Sequence, residues 1–75
     1  MANHTLDAKD LTCPLPVLRA RKAMKHLAPD DVLVIEATDP AATKDFPAFC
    51  DATGHKLLSV DHDGAVYTFR IRKAG

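Results

Sequence analysis

Cys13 is the residue best suited to covalent chemistry, because of the residues immediately after it. The stretch reads Leu11-Thr12-Cys13-Pro14-Leu15-Pro16-Val17-Leu18-Arg19, a thiol set before two prolines and a basic, amphipathic run. Proline is tolerated in a first helical turn, where backbone N–H groups have no intrahelical partner. Pro14 is therefore expected at the first helical position, with Pro16 in the same turn and Cys13 at the cap. A sulfur there faces the positive end of the helix dipole, which favours the thiolate. The expectation is an exposed, acidified nucleophile on a rigid mount.

The rest of the chain offers little competing chemistry. Cys50 lies in an apolar stretch behind Phe46-Pro47-Ala48-Phe49, with no cap or basic cluster to activate it, and is expected in the core. The two cysteines form no C-x-x-C pair, and two are few for a disulfide-stapled secreted domain. His4, His26, His55 and His62 pair neither with each other nor with a cysteine at metal-ligand spacing, so no metal is expected. The histidines have no evident acid–base partner and receive no role. No Ser-His-Asp set, phosphate-binding glycine loop or paired carboxylates can be assembled, and no cofactor is expected.

The elements that must position Cys13 can be read from pattern. Residues 4–8 suit a short first strand, and Pro14 to about Leu27 a helix stopped before Pro29. Residues 31–38, Asp-Val-Leu-Val-Ile-Glu-Ala-Thr, suit an interior strand. Asp39-Pro40 resembles a helix start. Pro47 argues for splitting the segment from 40 to 53: a turn at 40–44, then a second helix capped by Asp45, running to Thr53 and ended by Gly54. Residues 55–62 and 65–72 read as two strands about Asp63-Gly64, with Tyr67, Phe69 and Ile71 facing inward. The order β-α-β-α-β-β, with a long first crossover and a final hairpin, predicts an α/β (α+β) two-layer sandwich. Its mixed four-stranded sheet has strands one and two parallel and both helices on one face.

Seventy-five residues correspond to one domain, 1–75. Ten basic residues balance ten acidic ones, which argues against a general polyanion binder, and four Phe/Tyr residues are too few for a base-stacking platform. No direct nucleic-acid contact is expected. No apolar run nears the about 20 residues that span a bilayer, and no basic-then-apolar leader is visible. A cytoplasmic chain without membrane contact is expected, and nothing demands more than a monomer. Charge is nevertheless uneven. Arg19, Arg21, Lys22, Lys25 and His26 occupy the first helix with no acidic residue between Cys13 and Ala28. Val17, Ala20, Ala23, Met24 and Leu27 take one side of that helix, and the basic residues take the other together with Leu15 and Leu18. That surface is a candidate docking face for a protein partner, and Asp39, most simply a helix cap, is a further candidate for contact with a basic partner.

Three functions fit these residues. One is covalent carriage of a group on Cys13. A second is thiol redox chemistry with Cys13 and Cys50, and a third is a non-covalent regulatory or RNA-associated module. The motif Cys13-Pro14-x-Pro16, with Leu6-Asp7-Ala8 upstream and Asp39-Pro40-Ala41-Ala42-Thr43-Lys44-Asp45-Phe46-Pro47-Ala48-Phe49-Cys50 downstream, resembles the TusA/SirA family of sulfur carriers across Leu6 to Lys73. The downstream segment is most similar to the TusA branch. The resemblance implies that Cys13 holds sulfane sulfur as a persulfide and that Pro14 and Pro16 shape its site. It implies a cysteine desulfurase or rhodanese-like donor and a downstream relay protein of DsrE/TusD type. It also implies an end point in tRNA 2-thiouridine synthesis, sulfur oxidation or cofactor sulfuration. Such a chain takes part in sulfurtransferase reactions as a carrier rather than as a stand-alone enzyme. Leu15 stands where an acidic residue is frequent, Thr12 where a basic one is, and Asp10 where glycine is common.

Overall fold

The computed structural model describes residues 2–74. Its elements are β1 (Asn3–Ala8), α1 (Leu15–Met24), β2 (Val32–Ala37), α2 (Ala42–Thr53), β3 (Lys56–Asp63) and β4 (Val66–Arg72), in the expected order. β1 and β2 run parallel, while β4 lies antiparallel to β2 and to β3. The strands are ordered β1-β2-β4-β3, so the last strand is inserted beside β2 and leaves β1 and β3 at the edges.

Alternation along the strands sorts the two faces. Leu33, Ile35 and Ala37 of β2 and Phe69 and Ile71 of β4 are buried under both helices. They form one core with Ala20 and Met24 of α1, Leu27 just beyond it, and Ala42, Phe46, Phe49 and Cys50 of α2. Phe46 and Phe69 anchor that core with ring centroids 4.6 Å apart. The opposite face carries ion pairs: Lys9 pairs with Glu36 at 3.5 Å and Arg70 with Asp61 at 2.8 Å. His4, given no partner from the sequence, meets Asp31 at 3.2 Å. Only the register of β1 on β2 brings those residues together.

The helices depart from expectation in two ways. α1 ends at Met24, and Lys25, His26 and Leu27 continue as a tighter turn whose N–H groups reach three residues back. The Leu27 carbonyl is held by the Lys73 ammonium at 2.6 Å. α2 is a single helix from Ala42, not a turn followed by a helix capped by Asp45. Pro47 lies inside α2 and removes one backbone bond there, but Ala42, Phe46, Phe49 and Cys50 all lie on its buried face. Burial of two phenylalanines there, about 1.5–3 kcal/mol each, offsets what an interior proline costs through its lost bond and its ring, about 3 kcal/mol. Gly54 ends α2 as expected, at φ +83°, with its N–H on the Cys50 carbonyl.

Phe46 is fully buried between α2 and the sheet. Phe46→Ala should cost about 3–5 kcal/mol. Urea unfolding should show this as a lower midpoint with an unchanged slope.

Candidate functional site

Parallel pairing of β1 and β2 delivers the loops after both strands to the same edge of the sheet, each leading into a helix. The two loops are stitched to each other. The Asp10 N–H donates to Thr38 Oγ1 at 2.9 Å, and the Cys13 N–H donates to Asp39 Oδ2 at 2.6 Å. Asp10 sits at φ +66°, which explains why glycine suits that position; aspartate is among the few residues that tolerate it. Asp39 Oδ1 accepts the Ala41 N–H at 3.0 Å, closing the turn that leads into α2. One carboxylate thus fixes the thiol-bearing loop and the start of the second helix. These two bonds hold Asp39 below the usual carboxylate range, the Ala41 N–H contributing most and the Cys13 N–H next.

Cys13 is exposed, as expected, but it is not the cap of α1. Pro14 occupies the cap and Leu15 the first helical position, so the sulfur belongs to the residue before the cap. The Thr12 carbonyl accepts the Leu15 N–H at 2.8 Å and the Pro14 carbonyl the Leu18 N–H at 3.1 Å. Pro16 falls at the second helical position, where its missing N–H costs nothing. The Cys13–Pro14 peptide bond is cis.

The thiol opens onto a groove of about 300 Å³ between α1 and α2. One wall is Pro14, Val17 and Arg21; the other is Asp45, Ala48, Phe49 and Ala52. Both walls are helical stripes, with neighbours three and four residues apart. The Arg21 guanidinium lies 5.4 Å from the centroid of the Phe49 ring, a cation–π contact that bridges the helices. Asp45 stands in the first turn of α2 and lines the groove together with the thiol. Asp45 is the largest influence on the Cys13 thiol. Burial and the charge of Asp39 add to it, and together they push the thiol above its ordinary value. The expected acidification is therefore reversed. The half-charge of a helix end, one residue removed, is outweighed by a full carboxylate in the same groove.

Of the predicted docking residues, Leu15 and Leu18 are 42% and 51% exposed, and Arg19 and Lys22 lie in solvent beside them. Arg21 is turned instead into the groove. Asp39 spends both oxygens on backbone groups. Cys50 is buried on the sheet side of α2 as expected, and burial followed by the Asp51 charge pushes its thiol up. The sequence reasoning missed Asp45 as a neighbour of the thiol. The spacing of residues 45, 48, 49 and 52 was the signal for it, hidden once α2 was split at Pro47.

The TusA family, described as sulfurtransferase TusA, matches residues 4–73. The chain belongs to the TusA sulfurtransferase family. A solved structure of a SirA-like protein from Desulfitobacterium hafniense superposes with a TM-score of 0.82, each chain covered over 100% of its length at 24% identity. That likeness shows the shared fold. Membership of the TusA family supports a role in sulfur transfer, in which exchange with donor and relay proteins is the general pattern. No helix among the described residues is long and apolar enough to cross a membrane.

Two measurements check this TusA-family site. Iodoacetamide should label Cys13 in the native chain with a pH midpoint above the about 8.5 of a free cysteine, and should leave Cys50 unlabelled until the chain unfolds. Asp39→Ala should lower the melting temperature at pH 7. A carboxyl depressed in the folded state stabilises above its unfolded pKa of about 3.9, and that stabilisation fades as pH falls through the folded value. The gap between variant and wild type should therefore close in acid.

Proposed function

We propose that the chain is a persulfide carrier that loads sulfane sulfur on Cys13. The observation that carries this reading is an exposed thiol, held by the backbone bond to Asp39 at the mouth of an open groove, in a TusA-family chain. The Cys13 thiolate attacks the outer sulfur of a donor persulfide, R–S–SH. The donor S–S bond breaks as the new one forms, giving Cys13–S–SH and the donor thiolate, which takes up a proton. The reverse step with an acceptor thiolate discharges the carrier. No external oxidant enters either step, because the sulfur moves at constant total oxidation state.

The donor is a cysteine desulfurase or a rhodanese-like protein, and the acceptor a relay protein of DsrE/TusD type. The sulfur ends in tRNA 2-thiouridine, in sulfur oxidation or in a sulfurated cofactor. Pro14 and Pro16 shape the thiol loop, and Leu15, Leu18, Arg19 and Lys22 offer partners an apolar patch rimmed by positive charge. Transfer on a surface thiol requires no enclosed substrate chamber, which agrees with the openness of the groove. A redox function with Cys50 finds less support, since that residue is buried.

Intact-mass analysis after incubation with a cysteine desulfurase, its cofactor and cysteine should show wild type gaining one sulfur. Cys13→Ser should gain none and Cys50→Ser should load like wild type. Wild type that stays at its starting mass with both a desulfurase and a rhodanese-like donor overturns the reading.

A further inference from the structure

The surroundings of Cys13 are poorly suited to spontaneous reaction. A nucleophilic thiol needs to become a thiolate, and a neighbouring negative charge disfavours that form. Asp45 lines the groove onto which the sulfur opens, and Asp39 stands behind it at the backbone. Their situations differ. Asp39 is committed to two N–H groups. Among the described residues Asp45 has no ion pair with any Lys, Arg or His. Arg21 is the one cation lining the groove, on the opposite wall, and its guanidinium lies over Phe49. A half-buried carboxylate that shares the groove with the reactive atom and has no ion-pair partner among the described residues is complementary to a cation brought from outside.

We propose that Asp45 gates Cys13 by charge: a sulfur donor reacts efficiently when it seats a lysine or arginine beside this carboxylate. Pairing Asp45 with that cation removes the penalty on the thiolate at the moment the donor persulfide arrives. Without such a partner the thiol stays protonated and is spared alkylation and oxidation. The patch on α1 recognises acidic groups, so the partner surface is bipolar, with a cation at the thiol and anions further along the helix. The gate rests on the carrier reading for its purpose but concerns the thiol itself, so it is testable with simple disulfides. In that reaction the Cys13 thiolate attacks one sulfur of R–S–S–R, the S–S bond breaks, and Cys13–S–S–R forms. The released thiolate takes the proton given up by Cys13.

The test uses the full chain carrying Cys50→Ser and three reagents: cystamine, a dication; bis(2-hydroxyethyl) disulfide, neutral; and dithiodiglycolate, a dianion. Each rate is divided by the rate with N-acetylcysteinamide to remove intrinsic reactivity. In low salt the normalised rates should fall in the order cystamine, neutral reagent, dianion, and the spread should shrink at high salt. Asp45→Asn should speed the neutral reagent about threefold for each pKa unit released, since a tenfold gain in thiolate is partly offset by lower nucleophilicity. The same variant should collapse the cystamine preference, and Asp45→Glu should restore it. A salt-independent rate ratio near one in wild type overturns the proposal without any variant. A slower neutral reaction in folded Asp45→Asn overturns it as well. Because these reagents carry no sulfane sulfur, either result stands apart from whether Cys13 can be loaded as a persulfide.

Discussion

The site depends on one carboxylate, that of Asp39. It accepts the Cys13 N–H on one oxygen and the Ala41 N–H on the other. The residues it joins belong to loops that come together only because β1 and β2 pair in parallel and end at the same edge. Charge-assisted bonds of this kind are roughly twice as strong as neutral ones and shorter, which matches the 2.6 Å contact to Cys13. Without this tie the thiol would ride on a free surface loop. With it, Cys13 has a fixed position relative to both helices, and the groove between them has a defined mouth.

That position decides the electrostatics. The end of α1 is a weak positive pole, and Cys13 lies just outside it rather than in the cap. Two full negative charges act against that pole, Asp45 from within the groove and Asp39 from behind the backbone. The balance favours a neutral thiol in the free chain. A carrier that meets its partners only intermittently gains from such an arrangement, because a standing thiolate reacts with any available electrophile. Reactivity is then a property of the complex rather than of the isolated domain.

Division of labour on α1 reflects its three flanks. Pro16, Ala20 and Met24 are buried on the sheet and set the depth of the helix. Val17 and Arg21 line the groove toward α2, where the guanidinium over Phe49 ties the two helices together. Leu15, Leu18, Arg19 and Lys22 remain outside. The basic residues that look equivalent along the sequence therefore do different work: Arg21 supports the groove, while Arg19 and Lys22 face solvent beside exposed leucine.

Local pattern alone determined the six elements and their order, the inward faces of β2 and β4, the buried Cys50, and the exposure of Cys13, Leu15 and Leu18. These are matters of period, of burial and of proline and glycine stereochemistry, all written within a few residues of each position. The insertion of β4 between β2 and β3, the pairing of His4 with Asp31, and the unbroken course of α2 were settled by packing across the sheet, where burial of Phe46 and Phe49 overrides the local cost of Pro47. The protonation of Cys13 was also a tertiary outcome. The helix start that the prolines announce favours a thiolate, but Asp45 lies 32 residues away in the chain and shares a groove with the sulfur only once both helices rest on the same sheet.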